Sequence, residues 1–299
     1  MALVAGSIGW AAPASAQTTC TWVSGVGDDT FPCSRTAPCK TFAGAISKTA
    51  DKGEINVIDP GGFGAVNIVK SITIDGAGPH ASILAVGTNG VIINGAGVVV
   101  TLRNLSINGA GTTVGNGVRV INAAAVNIDN VRIANFAGST TNGRGISIET
   151  SAANVRVTIT NTQLWNNNDH QISVNPTSGN VVLDVDNCVI SRGNLSGIAM
   201  FDNTKASISR CLITNNILGG GVASQDNTVV ANVSNSIIAN NRFGISNGAA
   251  TTRLFNTVVT GSTEQGLKLD SGTVSSYGNN GIRGNVGNET PSGALIGPN

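Results

Sequence analysis

Seven polar pivots recur along this chain, each flanked at fixed offsets by aliphatic residues, and that spacing leaves few folds open to it. The pivots are Asn104, Asn130, Asn161, Asn187, Arg210, Asn235 and Asn256, set 21 to 31 residues apart. Two residues before them stand Leu102, Ile128, Ile159, Val185, Ile208, Val233 and Leu254. Three residues after them stand Ile107, Ile133, Leu164, Ile190, Ile213, Ile238 and Val259. A column of Gly90, Gly117, Gly145, Gly197, Gly221, Gly244 and Gly266, interrupted by Gln171, opens one more apolar-x-apolar stretch per repeat. Each repeat therefore offers three short strands that alternate with period two and bury one face. Asn and Gly between such strands leave no room for helical crossovers. The arrangement that buries all three inner faces is a coil whose turns stack as three parallel sheets, about 4.8 Å per turn. About eight turns are expected, a rod about 40 Å long at that spacing.

The pivots have a physical task. Asn tolerates the left-handed backbone of a tight corner, and its amide bonds readily to nearby backbone. Stacked at one corner, each amide donates to one neighbour and accepts from the other. Asn104, Asn130, Asn161, Asn187, Asn235 and Asn256 are thus expected to form an inward-facing ladder, broken at Arg210, which should point outward. Cys188 and Cys211 share a slot on adjacent turns and are expected to stack in the core as small hydrophobes rather than as a disulfide.

Composition narrows the partners. A formal net charge of +1 argues against a nucleic-acid binder, which would carry a basic excess. Charged residues make up only 11% of the 299, with 39 Gly and 36 Asn in their place, while 40% hydrophobic residues suffice for a core. The opening MALVAGSIGWAAPASAQ reads as a signal peptide over residues 1–16, with Ala14-Ser15-Ala16 fitting the small-x-small cleavage rule, although its basic leading segment is missing. The expectation is a secreted, extracellular or periplasmic protein. In an oxidising compartment two of Cys20, Cys33 and Cys39 should pair; Cys33–Cys39 closes the shortest loop, but sequence leaves the connectivity open.

The repeat resembles the right-handed parallel β-helix of the pectin-lyase-like superfamily. The segment TWVSGVGDDTFPCSRTAPCKTFAGAISKTADKGEINVIDPGGF is similar to the N-terminal cap of secreted bacterial β-helix proteins. The resemblance implies an all-β, single-stranded, right-handed coil of about eight turns with an N-terminal helical cap. Within the cap, Phe42, Ala45, Ile46 and Thr49 follow helical spacing, so a short helix would plug the open end of the coil. The expected boundaries are a cap over 17–53, the coil over 54–282 and a C-terminal tail over 283–299.

Enzymes of that superfamily act on acidic polysaccharides at the outer face of the first sheet. The corresponding outward positions here are Ile92, Arg119, Ser147, Ser173, Ala199, Ala223, Ser246 and Lys268, none of them a carboxylate. The calcium site of pectate-lyase-like members is therefore not expected. Nor does the coil carry the Asn-Thr-Asp, Asp pair or Gly-His-Gly of polygalacturonase-like members; Asp28-Asp29 lies in the cap. The remaining catalytic candidates are Arg119, Arg144, Glu149, Asp169 and His170 at the edges of that sheet, with Trp165 on the loop leading in. Two guanidiniums there would suit a uronate carboxylate, and His170 a proton transfer near neutral pH. The bland alternative is a set of solvated loop residues.

Three further features are legible. Asp184 and Asp186 point outward from one strand, where they would share a hard cation such as Ca²⁺ or simply be solvated; no other cofactor is expected. Arg103 and Asp129 occupy matching slots and should form a surface ion pair. The outward column of the third sheet changes from Ser106, Arg132 and Gln163 to Val189, Leu212, Ile237 and Val258. This apolar stripe should either lie under the tail residues Ala294, Leu295 and Ile296 or join copies of the chain as a homo-oligomer. Two functions compete on these grounds. The preferred one is a non-catalytic β-helix that binds extracellular polysaccharide or another cell-surface component. The other is a polysaccharide lyase or glycoside hydrolase working through Arg119, Arg144 and His170.

Overall fold

The computed structural model describes residues 17–76, 78 and 80–297, so the expected signal peptide over 1–16 lies outside the described residues. Three parallel sheets of nine, eleven and ten strands carry the chain, with a single helix, α1 (Phe42–Lys48), among the described residues. The first sheet runs from Val66–Ile68 to Gln265–Leu269, the second from Thr18–Val23 to Thr273–Ser276, and the third from Gly61–Gly62 to Gly281–Ile282. Nine strands in the first sheet make about nine turns, not eight. The coil begins one turn before the first Asn pivot, at a corner where strand Ile72–Asp75 ends on an aspartate. Two strands of the expected cap, Thr18–Val23 and Thr49–Val57, pair in parallel and open the second sheet.

Both aliphatic columns face inward. Leu102, Ile128 and Ile159 stack in register in the second sheet, as do Ile107, Ile133 and Leu164 in the third, and all are buried. Each such side chain contributes about 1.5–3 kcal/mol by leaving water. The glycine column answers to crowding: a Cβ on Gly117 would sit 2.3 Å from Ile133 Cγ2 and 2.5 Å from the Gly145 carbonyl oxygen.

The pivots do adopt the left-handed conformation, with φ between 45° and 59°. The ladder they form faces outward, however, not inward. Asn130 Nδ2 donates to Asn104 Oδ1 at 2.8 Å and Asn187 Nδ2 to Asn161 Oδ1 at 2.8 Å, at the exposed surface. Asn256 bonds to Asn235 in the same way at 2.8 Å, while Asn161 reaches Asp129 Oδ1 at 2.7 Å. Arg210 keeps the same outward direction and pairs with Asp186. The reason is geometric. A left-handed residue breaks strand alternation, so the buried position falls one residue later, at Val131, Thr162, Cys188, Cys211, Ser236 and Thr257. Cys188 and Cys211 are accordingly buried free thiols. The hydrogen bond that the Cys188 thiol donates to Cys211, reinforced by burial, pushes that thiol up.

The inward asparagines stand at the other corner, between the third and first sheets. Left-handed residues recur there too, at Asn135, Asn166, Arg192, Asn215, Asn240 and Gly261. The residue after each is buried: Phe136, Asn167, Gly193, Asn216, Asn241 and Ser262. Asn216 Nδ2 donates to Asn241 Oδ1 at 2.8 Å, and Asn216 Oδ1 accepts the Gly193 N–H at 3.0 Å. Gln171, the exception in the glycine column, fills this corner from the opposite side. Its Oε1 accepts from Asn167 Nδ2 at 2.6 Å, and Gly193 replaces an asparagine where a Cβ would lie 2.9 Å from Gln171 Nε2.

The N-terminal end is stoppered by α1. The Thr41 side chain accepts the Gly44 N–H, Asp29 accepts the Lys40 and Thr41 N–H groups, and Phe42 packs on Phe63 with ring centroids 5.2 Å apart. Cys33 and Cys39 form a disulfide beside it, and Cys20 is free.

Candidate functional site

The outward column of the first sheet lies in register as the repeat implies, with Arg119 beside Ser147 and Ser147 beside Ser173. Its middle members, Ser147, Ser173, Ala199, Ala223 and Ser246, are nevertheless buried. They are small, and Arg144 from the adjoining corner folds over Ser147. Ser173 Oγ has no hydrogen-bond partner among the described residues.

Over this column the structure brings together all five catalytic candidates. Arg144 is 7% exposed and spends all three guanidinium nitrogens within the protein. Nε reaches Asp169 Oδ2 at 3.2 Å, Nη1 reaches Ser147 Oγ at 3.0 Å and Glu149 Oε1 at 3.4 Å, and Nη2 donates to the Thr140 carbonyl at 2.8 Å. Arg119 forks onto Glu149 Oε2 through Nε at 3.1 Å and Nη2 at 2.8 Å. Burial opposes ionisation of Glu149, but hydrogen bonds from Ser147 and Arg119 and the two guanidiniums outweigh it, so its carboxyl lies below the ordinary range. Burial likewise lowers His170; neighbouring Asp169 works against that and Arg144 adds to it. Its Nδ1 accepts the Ser196 N–H at 3.1 Å and its Nε2 faces Asp169 Oδ1 at 3.4 Å. This assigns the neutral tautomer with the proton on Nε2, and leaves neither ring nitrogen a free lone pair. Phe201 packs edge-on against the ring at 5.7 Å.

Trp165 stands apart from this group. It belongs to strand Gln163–Trp165 of the third sheet, in register with Ala134 and Ser191, not to a loop leading into the first sheet. The aspartate pair is divided as well. Asp184 is exposed, whereas Asp186 accepts from Ser209 Oγ at 2.5 Å and pairs with Arg210. Among the described residues no group of three His, Cys, Asp or Glu side chains is placed to hold a metal ion. Arg103 does not pair with Asp129; it turns to the preceding turns, meeting Asp75 at 2.8 Å and Glu54 at 3.5 Å, while Asp129 accepts from Thr160 and Asn161.

The apolar stripe is open. Val189, Leu212, Ile237 and Val258 are 39–49% exposed. The tail runs instead along the last strand of the second sheet, where the Gly293 N–H bonds to Val274 O and the Ile296 N–H to Ser276 O, both at 2.9 Å. At the upper end of this face lies a feature the sequence reading passed over. Arg192 borders two adjoining depressions, one of about 450 Å³ with Asn166, Asn168, Asn215 and Ile217, the other of about 250 Å³ with Gln163, Trp165 and Val189. The signal was available as the Asn-Asn pairs 166–167, 215–216 and 240–241, which recur five and six residues after the pivots and mark a second corner.

Comparison with known proteins agrees with this architecture. Pectate lyase Pel9A superposes over 88% of this chain and 69% of its own, with a TM-score of 0.56 and 14% identity. The A-module of the Azotobacter vinelandii mannuronan C-5 epimerase AlgE6 aligns over 76% of this chain and 79% of its own, with a TM-score of 0.47 and 11% identity. No curated protein matches by sequence. Residues 89–285 match the family described as the right handed beta helix region, which covers most of the three-sheet coil. The chain belongs to the right-handed β-helix family.

Proposed function

We propose that this β-helix is a non-catalytic binding element for extracellular polysaccharide or another cell-surface component. The observation that carries the reading is the state of the first-sheet cluster. A proton-abstracting base needs a free lone pair and a substrate-clamping guanidinium needs a free edge. His170 offers no such nitrogen, and Arg144 is saturated by Asp169, Ser147, Glu149 and Thr140. The group is two cations balanced by two carboxylates and a neutral imidazole, which is the composition of a structural clasp. The Cys33–Cys39 disulfide and the leader-like start support an extracellular setting.

The test has two arms. Retention on immobilised acidic and neutral polysaccharides is expected in affinity electrophoresis. Release of unsaturated uronate from pectate, alginate or glycosaminoglycans is not expected. Uronate release that disappears in both Arg144→Ala and His170→Ala would replace this reading with a lyase.

A further inference from the structure

The outer face of the third sheet presents exposed cations on strands that hold no acid. None of its strands carries an aspartate or glutamate. Arg132 stands exposed beside Gln163 on the adjacent strand, and Arg192 stands exposed at the corner after Ser191. Among the described residues neither guanidinium forms an ion pair or a side-chain hydrogen bond, whereas Arg103, Arg119, Arg144, Arg210 and Arg242 all do. Arg192 lies on the rim shared by two depressions that together fall within the range of about 300–1,000 Å³ usual for small-ligand sites.

The lining is amphipathic. Trp165 is half-buried, so one part of its indole remains available as an apolar platform. Ile217, 63% exposed, supplies a second apolar wall. Between them stand amides. Asn215 and Gln163 are exposed, and neither side chain has a hydrogen-bond partner among the described residues, while Asn168 uses Nδ2 on the Gly138 carbonyl at 3.0 Å, leaving its Oδ1 to accept. An apolar plane, amide donors and acceptors, and a forked cation with no carboxylate nearby match one ligand chemistry. That chemistry is a pyranose ring bearing a carboxylate or sulfate: its carbon face lies on the indole, its hydroxyls meet the amides, and its anion meets the guanidinium.

We propose that Arg192, Trp165 and the flanking amides form a subsite for an anionic sugar residue, at the corner between the third and first sheets. This rests on the binding function proposed above and gives it a place and a ligand class. Arg192→Asn is a clean probe, because Asn166, Asn215 and Asn240 hold the same left-handed corner on other turns, so the fold accepts it. Binding of length-matched oligomers of galacturonate, sulfated galactose and neutral galactose is measured by calorimetry. Arg192→Asn is expected to weaken the tighter anionic oligomer about tenfold or more and to leave neutral galactose unchanged. Trp165→Ala is expected to weaken all three oligomers. The preference between the first two oligomers identifies the anion. Anionic binding that survives both substitutions overturns the subsite while leaving polysaccharide binding intact. A wild-type protein retained by no polysaccharide removes the binding function itself.

Discussion

The outer faces of the first and third sheets are built from the same repeat, yet they meet solvent in opposite ways. On the first sheet the outward side chains are small, and the charged groups at its borders fold over them and neutralise one another. On the third sheet the outward side chains from Val189 to Val258 are aliphatic and nearly half exposed, and Arg132 and Arg192 meet no acid among the described residues. Titratable residues crowd the first face, which draws attention to it in the sequence. Yet groups that satisfy each other have little left for a ligand. Unmet bonding capacity, more than density of charge, separates the two faces.

The largest test of that comparison is Arg144→Ala. It strands Asp169, whose side chain is 2% exposed, and breaking a buried pair from one side costs about 3–5 kcal/mol. A denaturation midpoint close to wild type would mean that the clasp is loose and its groups are free for chemistry. Next comes the contrast between the two asparagine corners. Asn216→Ala should cost about 2 kcal/mol by orphaning the buried Gly193 N–H and removing one of the two donors to Asn241 Oδ1, whereas Asn187→Gly, at the exposed left-handed corner, should stay within about 1 kcal/mol. Equal losses would contradict the outward assignment of the first ladder.

His170 provides a smaller, pH-dependent effect. Because burial depresses it, the folded protein favours the neutral ring, while the unfolded chain takes up a proton below about pH 6.5. Stability should therefore be full above that pH and fall as pH drops toward the folded-state value, by at most about 1.4 kcal/mol per pH unit. Urea midpoints at pH 7.5 and 5.5 should converge in His170→Gln. An unchanged pH slope in that variant would assign the effect elsewhere. The smallest change expected is at the stripe: Leu212→Ser should shift stability by less than about 0.5 kcal/mol, as for an ordinary surface site. A larger loss, or an altered elution volume in size-exclusion chromatography, would show that the stripe is covered by another copy in solution.

Much of the coil was legible because burial repeats. The columns through Leu102 and Ile107 name two inner faces, and the register confirms them turn by turn. The direction of the pivots was misread although the signal was present. Positions two before and three after a pivot are an odd five residues apart, so two inward columns require alternation to slip once between them. The left-handed Asn104 is where it slips. The five titratable candidates come together because they lie on or beside neighbouring strands of one sheet, but proximity said nothing of saturation: which oxygen meets which guanidinium depends on side-chain paths that spacing does not encode. Trp165 was misplaced for a related reason. Its strand is only three residues long, and so short a segment has little periodicity to separate it from a loop.

Gln171 and Gly193 show how such a coil tolerates irregularity. They are 22 residues apart in the chain, yet one cavity volume is divided between them, with the long amide entering from one side where the expected asparagine is withdrawn from the other. Either residue exchanged alone for its column's usual type would leave a collision or a void; exchanged together, Gln171→Gly with Gly193→Asn, they restore the common pattern. Substitutions in this protein are thus tolerated or refused in vertical pairs, and homologous sequences should vary at these two positions in concert rather than singly.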